Sequence, residues 1–128
     1  MDTNPHEQIL FKEESYQIIG RALDVLKEVG HGYHEKPYEN ALTIAFRHNN
    51  IPYEQQREFP ILYRQEKIGT FIPDLIAFDK IVIDTKVIDK ITDHERGQML
   101  NYLRIIGLRL GIIINFKHAK LEYERIVL

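Results

Sequence analysis

The chain has 128 residues, 44% of them hydrophobic, with 17 Lys/Arg against 19 Asp/Glu and no cysteine. That length suits one domain burying roughly two-thirds of its unfolded surface. A net charge of −2 argues against a general nucleic-acid coat, the lack of cysteine excludes disulfide staples and thiolate metal sites, and no apolar run approaches the ~20 residues of a membrane span.

The start, MDTNPHEQILFKEE, has neither the basic end nor the apolar centre of a signal peptide. With the cysteine-free composition, this leads us to expect a cytoplasmic protein. Residues 1–14 read as an N-terminal tail or extension, and 15–128 as a single domain. Over 15–29, Ile18, Ile19, Ala22, Leu23, Val25, Leu26 and Val29 recur at helical spacing, with Gly30 as a stop. Pro37 fits the first turn of a second helix, which carries Tyr38, Ala41, Leu42, Ala45 and Phe46 and exits at Asn49-Asn50. Residues 51–63 read as a strand pair, or as one strand interrupted at Pro60, which cannot donate to a ladder. Three short strands fit 67–87. A third helix fits 93–106, with Met99, Leu100, Leu103 and Ile106 inward and Asp93 as N-cap. LRLGIIINF (108–116), nearly all apolar, reads as a central strand, and YERIVL (123–128) as a further one. The order α-α-β-β-β-α-β-β, with one more strand if 51–63 is split, gives an α/β fold with a mixed sheet flanked by helices.

Charge is unevenly spread along this order. Residues 1–79 hold 8 Lys/Arg and 13 Asp/Glu, while 80–128 hold 9 and 6. A basic back half of this kind could lie along a phosphate chain.

The stretch IPDLIAFDKIVIDTKV (72–87) holds the candidate chemistry. Asp84 and Lys86 are two apart, so on a strand they share a face with Val82. An ion pair on a solvated face is the ordinary reading of such a pair. Here Ile81, Ile83 and Val87 imply a covered strand, where unpaired charges cost several kcal/mol. Asp74 adds a second carboxylate. Two carboxylates converging on one point repel unless a cation lies between them, and Mg²⁺ takes one or two carboxylates with waters and phosphate oxygens. A lysine beside such a metal can orient or deprotonate a water and stabilise charge on a phosphate. The six histidines show no H-x-x-x-H or H-E-x-x-H spacing, which argues against a zinc hydrolase.

Pro73-Asp74 followed by Asp84-Thr85-Lys86 resembles the signature of the PD-(D/E)XK nuclease superfamily. Gly32-Tyr33-His34-Glu35-Lys36-Pro37-Tyr38, continued by Glu39-Asn40-Ala41-Leu42, resembles the namesake motif of its GxxExxY branch. His94-Glu95, Gln98 and Tyr102-Leu103 are similar to that family's helix after the active-site strands, and Gly107–Gly111 through Asn115-Phe116 to its following strand. The resemblance implies a restriction-endonuclease-like core over 15–128. It implies metal-ligand roles for Asp74 and Asp84, with the backbone carbonyl of Thr85 as a further oxygen, and a catalytic role for Lys86. Glu35 would complete or orient the metal site, and Gln98 and Tyr102, four apart on one helix face, would touch substrate. Asp84 stands where the family more often has glutamate, one methylene longer.

The expected function is a phosphodiester hydrolase using Mg²⁺ or Mn²⁺ on DNA or RNA. The alternatives are a non-catalytic nucleic-acid-binding module and a dimeric assembly module on the same fold. The chain is small and has no recognition helix rich in Arg and Asn, so a homodimer partner or an accessory protein is expected to help choose substrate. The metal site also sets a condition on the 74–84 hairpin. In an antiparallel pair, opposed residue numbers add to a constant. A two-residue turn at Asp79-Lys80 would put Asp74 and Asp84 on opposite faces, so an odd-length turn such as 79–81, or a bulge, is expected.

Overall fold

The computed structural model describes residues 9–128. The first eight positions of the expected N-terminal extension lie outside the described residues. Three helices, α1 (Lys12–Val29), α2 (Glu35–His48) and α3 (Asp93–Ile106), pack on a five-stranded sheet of order β1-β4-β5-β6-β7. Its strands are β1 (Tyr53–Gln55), β4 (Leu75–Ala77), β5 (Ile81–Lys86), β6 (Leu110–Asn115) and β7 (Glu122–Val127). Only β5 and β6 run parallel; the other three pairings are antiparallel. The remaining strands, β2 (Phe59–Tyr63) and β3 (Glu66–Phe71), form a separate two-stranded hairpin.

Side-chain alternation along the central strands builds two cores, one on each face. Ile81 and Ile83 of β5, with Leu110, Ile112 and Ile114 of β6, pack under Ile18, Ala22 and Val25 of α1 and Tyr38, Leu42 and Phe46 of α2. On the opposite face, Val82 and Ile113 pack under Met99 and Leu103 of α3, with Ile91. Every residue of β6 is buried, as a strand covered on both faces requires. Gly111 lets α3 come close, since a Cβ there would collide with Met99.

The sequence reading differs from this fold at four points. Helix α1 starts at Lys12, three residues before the expected start, and Leu23 lies on its outer side at 50% exposure. Between α2 and α3 there are five strands, the pair expected over 51–63 and the three expected over 67–87, one more than the longer form of the summed order. The break falls at residues 56–58 and not at Pro60, which sits inside β2 opposite Thr70 on a two-stranded ribbon that leaves it exposed. The N-cap of α3 is Thr92, not Asp93. Its hydroxyl accepts from the His94 N–H, while Glu95 reaches back to the Thr92 N–H at 2.7 Å, completing a capping box.

Candidate active site

The β4–β5 hairpin brings the carboxylates together. Leu75 pairs with Ile83, Ile76 with Val82 and Ala77 with Ile81, so opposed numbers add to an even constant. Continued by one step, this register sets Asp74 level with Asp84. The connecting loop is Phe78-Asp79-Lys80, an odd-length turn one position earlier than 79–81, so parity matches Asp74 with Asp84 rather than Lys86, one step beyond the end of the ladder at Leu75. Phe78 and Asp79 both adopt left-handed conformations (φ 57° and 60°), and the Lys80 N–H closes the turn onto the Ala77 carbonyl at 3.0 Å.

Asp74 is tied to the end of β5. Its Oδ2 accepts from both the N–H and the hydroxyl of Thr85, each at 2.9 Å. The Thr85 N–H is free for this because β4 stops at Leu75, opposite Ile83. A strand residue turns its N–H and C=O to the same edge, so the Thr85 carbonyl also faces this side. Burial raises the Asp74 pKa, the two Thr85 bonds pull against it, and the charges of Glu39 and Glu35 push it further up.

Asp84 is buried without full compensation. Its Oδ2 lies 3.2 Å from Lys86 Nζ, with side-chain exposures of 14% and 17%. The two charges attract, but the contact is not aligned as a hydrogen bond, and Oδ2 has no hydrogen-bond partner. Burial is the main reason the Asp84 pKa rises from 3.8 to about 7; Lys86 lowers it and Asp74 raises it again. Lys86 Nζ donates to Gln98 Oε1 at 3.2 Å. Burial alone would lower the lysine's pKa, but Asp84 outweighs it and the net shift is upward. Asp84 and Lys86 are therefore an ion pair, on a covered face rather than a solvated one.

Helix α2 delivers Glu35 and, one turn on, Glu39. The three named positions of the G-x-x-E-x-x-Y stretch act differently. Gly32 (φ +87°) donates its N–H to the Phe116 carbonyl at 3.0 Å. The fully buried Tyr38 stacks on Phe116, ring centroids 4.4 Å apart, and its hydroxyl donates to Gly30 O at 2.7 Å and accepts from the Tyr33 N–H at 3.1 Å. Glycine and tyrosine thus pin the loop that presents Glu35 at the exposed start of α2. From there the Glu35 charge reaches Asp74, Asp84 and Lys86.

Sequence reasoning overlooked Glu39. It is buried, and its Oε2 accepts from Gln55 Nε2 (2.6 Å), Gln56 Nε2 (2.9 Å) and Lys36 Nζ (3.0 Å). Burial works against its charge, but those three donors win and lower its pKa. The Gln56 N–H in turn donates to the Asp74 carbonyl at 3.3 Å. The signal was the four-residue spacing, which puts Glu39 on the Glu35 face of the helix.

Helix α3 supplies Gln98 and Tyr102. Gln98 holds Lys86, as described. Tyr102 stacks on Phe71 at 4.0 Å, and its hydroxyl pKa is raised by burial and then by the Asp84 charge. Glu35, Asp74, Asp84, Lys86, Gln98 and Tyr102 therefore converge on one place. His94 is exposed at the start of α3.

A family model described as the PD-(D/E)XK nuclease superfamily matches residues 12–126. The chain belongs to this superfamily. The crystal structure of SSO0001 aligns with a TM-score of 0.57 at 18% identity, over 91% of this chain and 57% of that one. The chain thus spans little more than half the length of that protein, and the likeness is one of fold. A comparison with curated proteins matched none.

Nucleases of the PD-(D/E)XK superfamily typically use divalent metals. Among the described residues no three His, Asp or Glu side chains gather as a metal-binding group. The donors that do gather are two carboxylates and a strand-edge carbonyl. That all-oxygen set suits a hard cation completing its shell with water and phosphate. Asp84 Oδ2, which has no hydrogen bond among the described residues, is the structural sign of fit. A cation there would satisfy it and offset the repulsion from Asp74. No helix among the described residues is long and apolar enough to cross a membrane.

Proposed function

We propose that this PD-(D/E)XK protein, of the GxxExxY branch, is a Mg²⁺- or Mn²⁺-dependent phosphodiester hydrolase acting on DNA or RNA. The observation that carries the reading is Asp84 Oδ2, a buried carboxylate oxygen with no hydrogen bond among the described residues, 3.2 Å from a lysine and close enough to Asp74 to feel its charge. Asp74, Asp84 and the Thr85 carbonyl would hold the metal. Bound there, the metal supplies Lewis acidity and lowers the pKa of a bound water. The remaining roles belong to the chain. Thr85 fixes the Asp74 carboxylate through its N–H and hydroxyl. Lys86, kept protonated by Asp84 and aimed by Gln98, orients the attacking water and stabilises negative charge on the phosphoryl group. Glu35 orients the metal site from the start of α2, and Gln98 and Tyr102 contact substrate.

The upward shift of Lys86 favours one second reading. A lysine kept charged by Asp84 also suits a non-catalytic nucleic-acid-binding or assembly module that retains the nuclease fold. Cleavage of single-stranded DNA, duplex DNA and RNA with Mg²⁺ or Mn²⁺ separates the two. Lys86→Ala is expected to lower the rate about 10²–10⁴-fold, and Asp74→Ala to remove Mn²⁺ binding in titration. No cleavage on any substrate would leave the module reading, and cleavage that Lys86→Ala does not change would overturn the role given to Lys86.

A cytoplasmic location and a homodimer complete the proposal, with an accessory protein as the other route to substrate choice. The dimer is supported by edge strand β7, whose Tyr123 and Val127 are 46% and 48% exposed. A monomer in light scattering at tens of micromolar would remove it.

A further inference from the structure

Beyond Phe71, which stacks on Tyr102, the β2–β3 hairpin has no part in the chemistry above. Leu62, Tyr63 and Ile68 are 58%, 59% and 67% exposed, whereas Phe59, Ile61 and Phe71 are half-buried. Its charges are Arg57, Arg64 and Lys67 against Glu58 and Glu66. At the tip, the Arg64 guanidinium lies 5.2 Å from the Tyr63 ring centroid, covering part of a ring that otherwise faces outward.

Two grooves that share Arg104 lie between this hairpin and Gln98, the residue that holds Lys86. The first runs along α3, past Gln98, Asn101 and Arg104. Its one acid, Asp93, is ion-paired to Arg96 at 2.8 Å. The second lies between α3 and the hairpin, lined by Pro60, Ile61, Leu62, Arg104 and Ile105. Arg104 lines both and donates to Asn101 Oδ1 at 3.0 Å. Gln98, at the near end, is the residue that holds Lys86. At the foot of the hairpin, Phe71 stacks on Tyr102, three residues before Asp74.

We propose that this track binds the single-stranded flank of a nucleic-acid substrate, with Asn101 and Arg104 on its backbone and Tyr63 stacked on a base. The proposal rests on the nuclease reading and adds the strandedness of the flank and the residues that grip it. Tyr63, exposed at the hairpin tip next to the groove residue Leu62, offers a ring to the face of a base, which only an unpaired strand presents. Duplex binding relies on many phosphate contacts, and the few cations here, with two acids among them, do not supply that. The six residues of β3 extend about 20 Å, the span the flank covers between the site and the hairpin tip.

The test is fluorescence anisotropy with 12-nucleotide single strands and the matching duplex, in EDTA to prevent cleavage. Tyr63→Ala and Arg104→Ala are each expected to weaken single-strand binding about fivefold or more, with duplex binding changed less than about twofold. Tyr63→Phe, which keeps the ring, should restore it. Equal losses on both forms, or none on the single strand, would overturn the proposal. So would a dimer that Leu62→Glu converts to monomer, since the hairpin would then join two copies. Hydrolysis of bis(4-nitrophenyl) phosphate with Mn²⁺, a substrate too small to reach the track, reports the nuclease reading by itself. Turnover there without a Tyr63 effect removes only the track; no turnover there, and none on nucleic acid, removes both.

Discussion

Asn115 on β6 and Asp84 on β5 are buried polar side chains near the same end of two adjacent parallel strands. Asn115 makes four hydrogen bonds. Its Nδ2 donates to Ile88 O and to Glu122 Oε1, both at 2.8 Å, and its Oδ1 accepts from the N–H groups of Ile88 (3.0 Å) and Lys117 (3.2 Å). Glu122 in turn accepts from the Ile91 N–H, so the pair holds the loop that follows β5. Asp84 Oδ2 has one misaligned ammonium neighbour and, among the described residues, no hydrogen bond. Burying a polar group costs free energy unless its hydrogen bonds are replaced. At Asn115 the fold replaces them all. At Asp84 it does not, and that is where a ligand has something to add.

Substitutions at the two positions should act with opposite signs. Asn115→Ala leaves two loop N–H groups, the Ile88 carbonyl and Glu122 without their partner, and should lower stability by about 3 kcal/mol in urea unfolding. A loss below about 1 kcal/mol would break the contrast from the structural side.

Asp84→Asn should do the reverse, and only at higher pH. A carboxyl whose folded pKa lies near 7, against 3.8 ordinarily, binds its proton more tightly in the folded state. Stability is therefore greatest at low pH and falls as pH rises between those two values. At pH 8 the neutral asparagine should be more stable than the wild type by on the order of 2 kcal/mol; near pH 4 the two should melt together. In the wild type, Mn²⁺ binding should weaken as pH falls below 7, because protons compete for Asp84. A melting difference independent of pH would count against the burial account.

The smallest effect should come from Tyr38→Phe. It keeps the stack on Phe116 and removes only the hydroxyl bonds to Gly30 and Tyr33. A stability loss of about 1–2 kcal/mol with little change in metal binding would place the tyrosine among the anchors, beside Asn115.

Sequence pattern revealed the helices and the all-apolar central strand because periodicity and covered faces leave strong marks. It exposed Asp84 for the same reason: a charge inside IVIDTKV is conspicuous. Glu39 escaped because its burial depends on Gln55 and Gln56, which reach it from another element. The β2–β3 hairpin escaped because Pro60 was weighed as a break in a large sheet, whereas an exposed position on a two-stranded ribbon tolerates it. Thr92 was readable and missed. Glu95 stands three residues after it, which marks threonine rather than Asp93 as the cap.

The three-residue turn at Phe78–Lys80 has a consequence for how this hairpin can diverge. Losing or gaining one residue there, with the strands still paired, would set Asp74 on the opposite face from Asp84 and Lys86, because β6 and the core contacts of Ile81 and Ile83 hold β5 in place. Changes by two residues would keep the face and merely move Asp74 along it. Length variation in this turn is therefore filtered by evenness: a single-codon deletion would silence the centre as surely as replacing Lys86, and a double one would not.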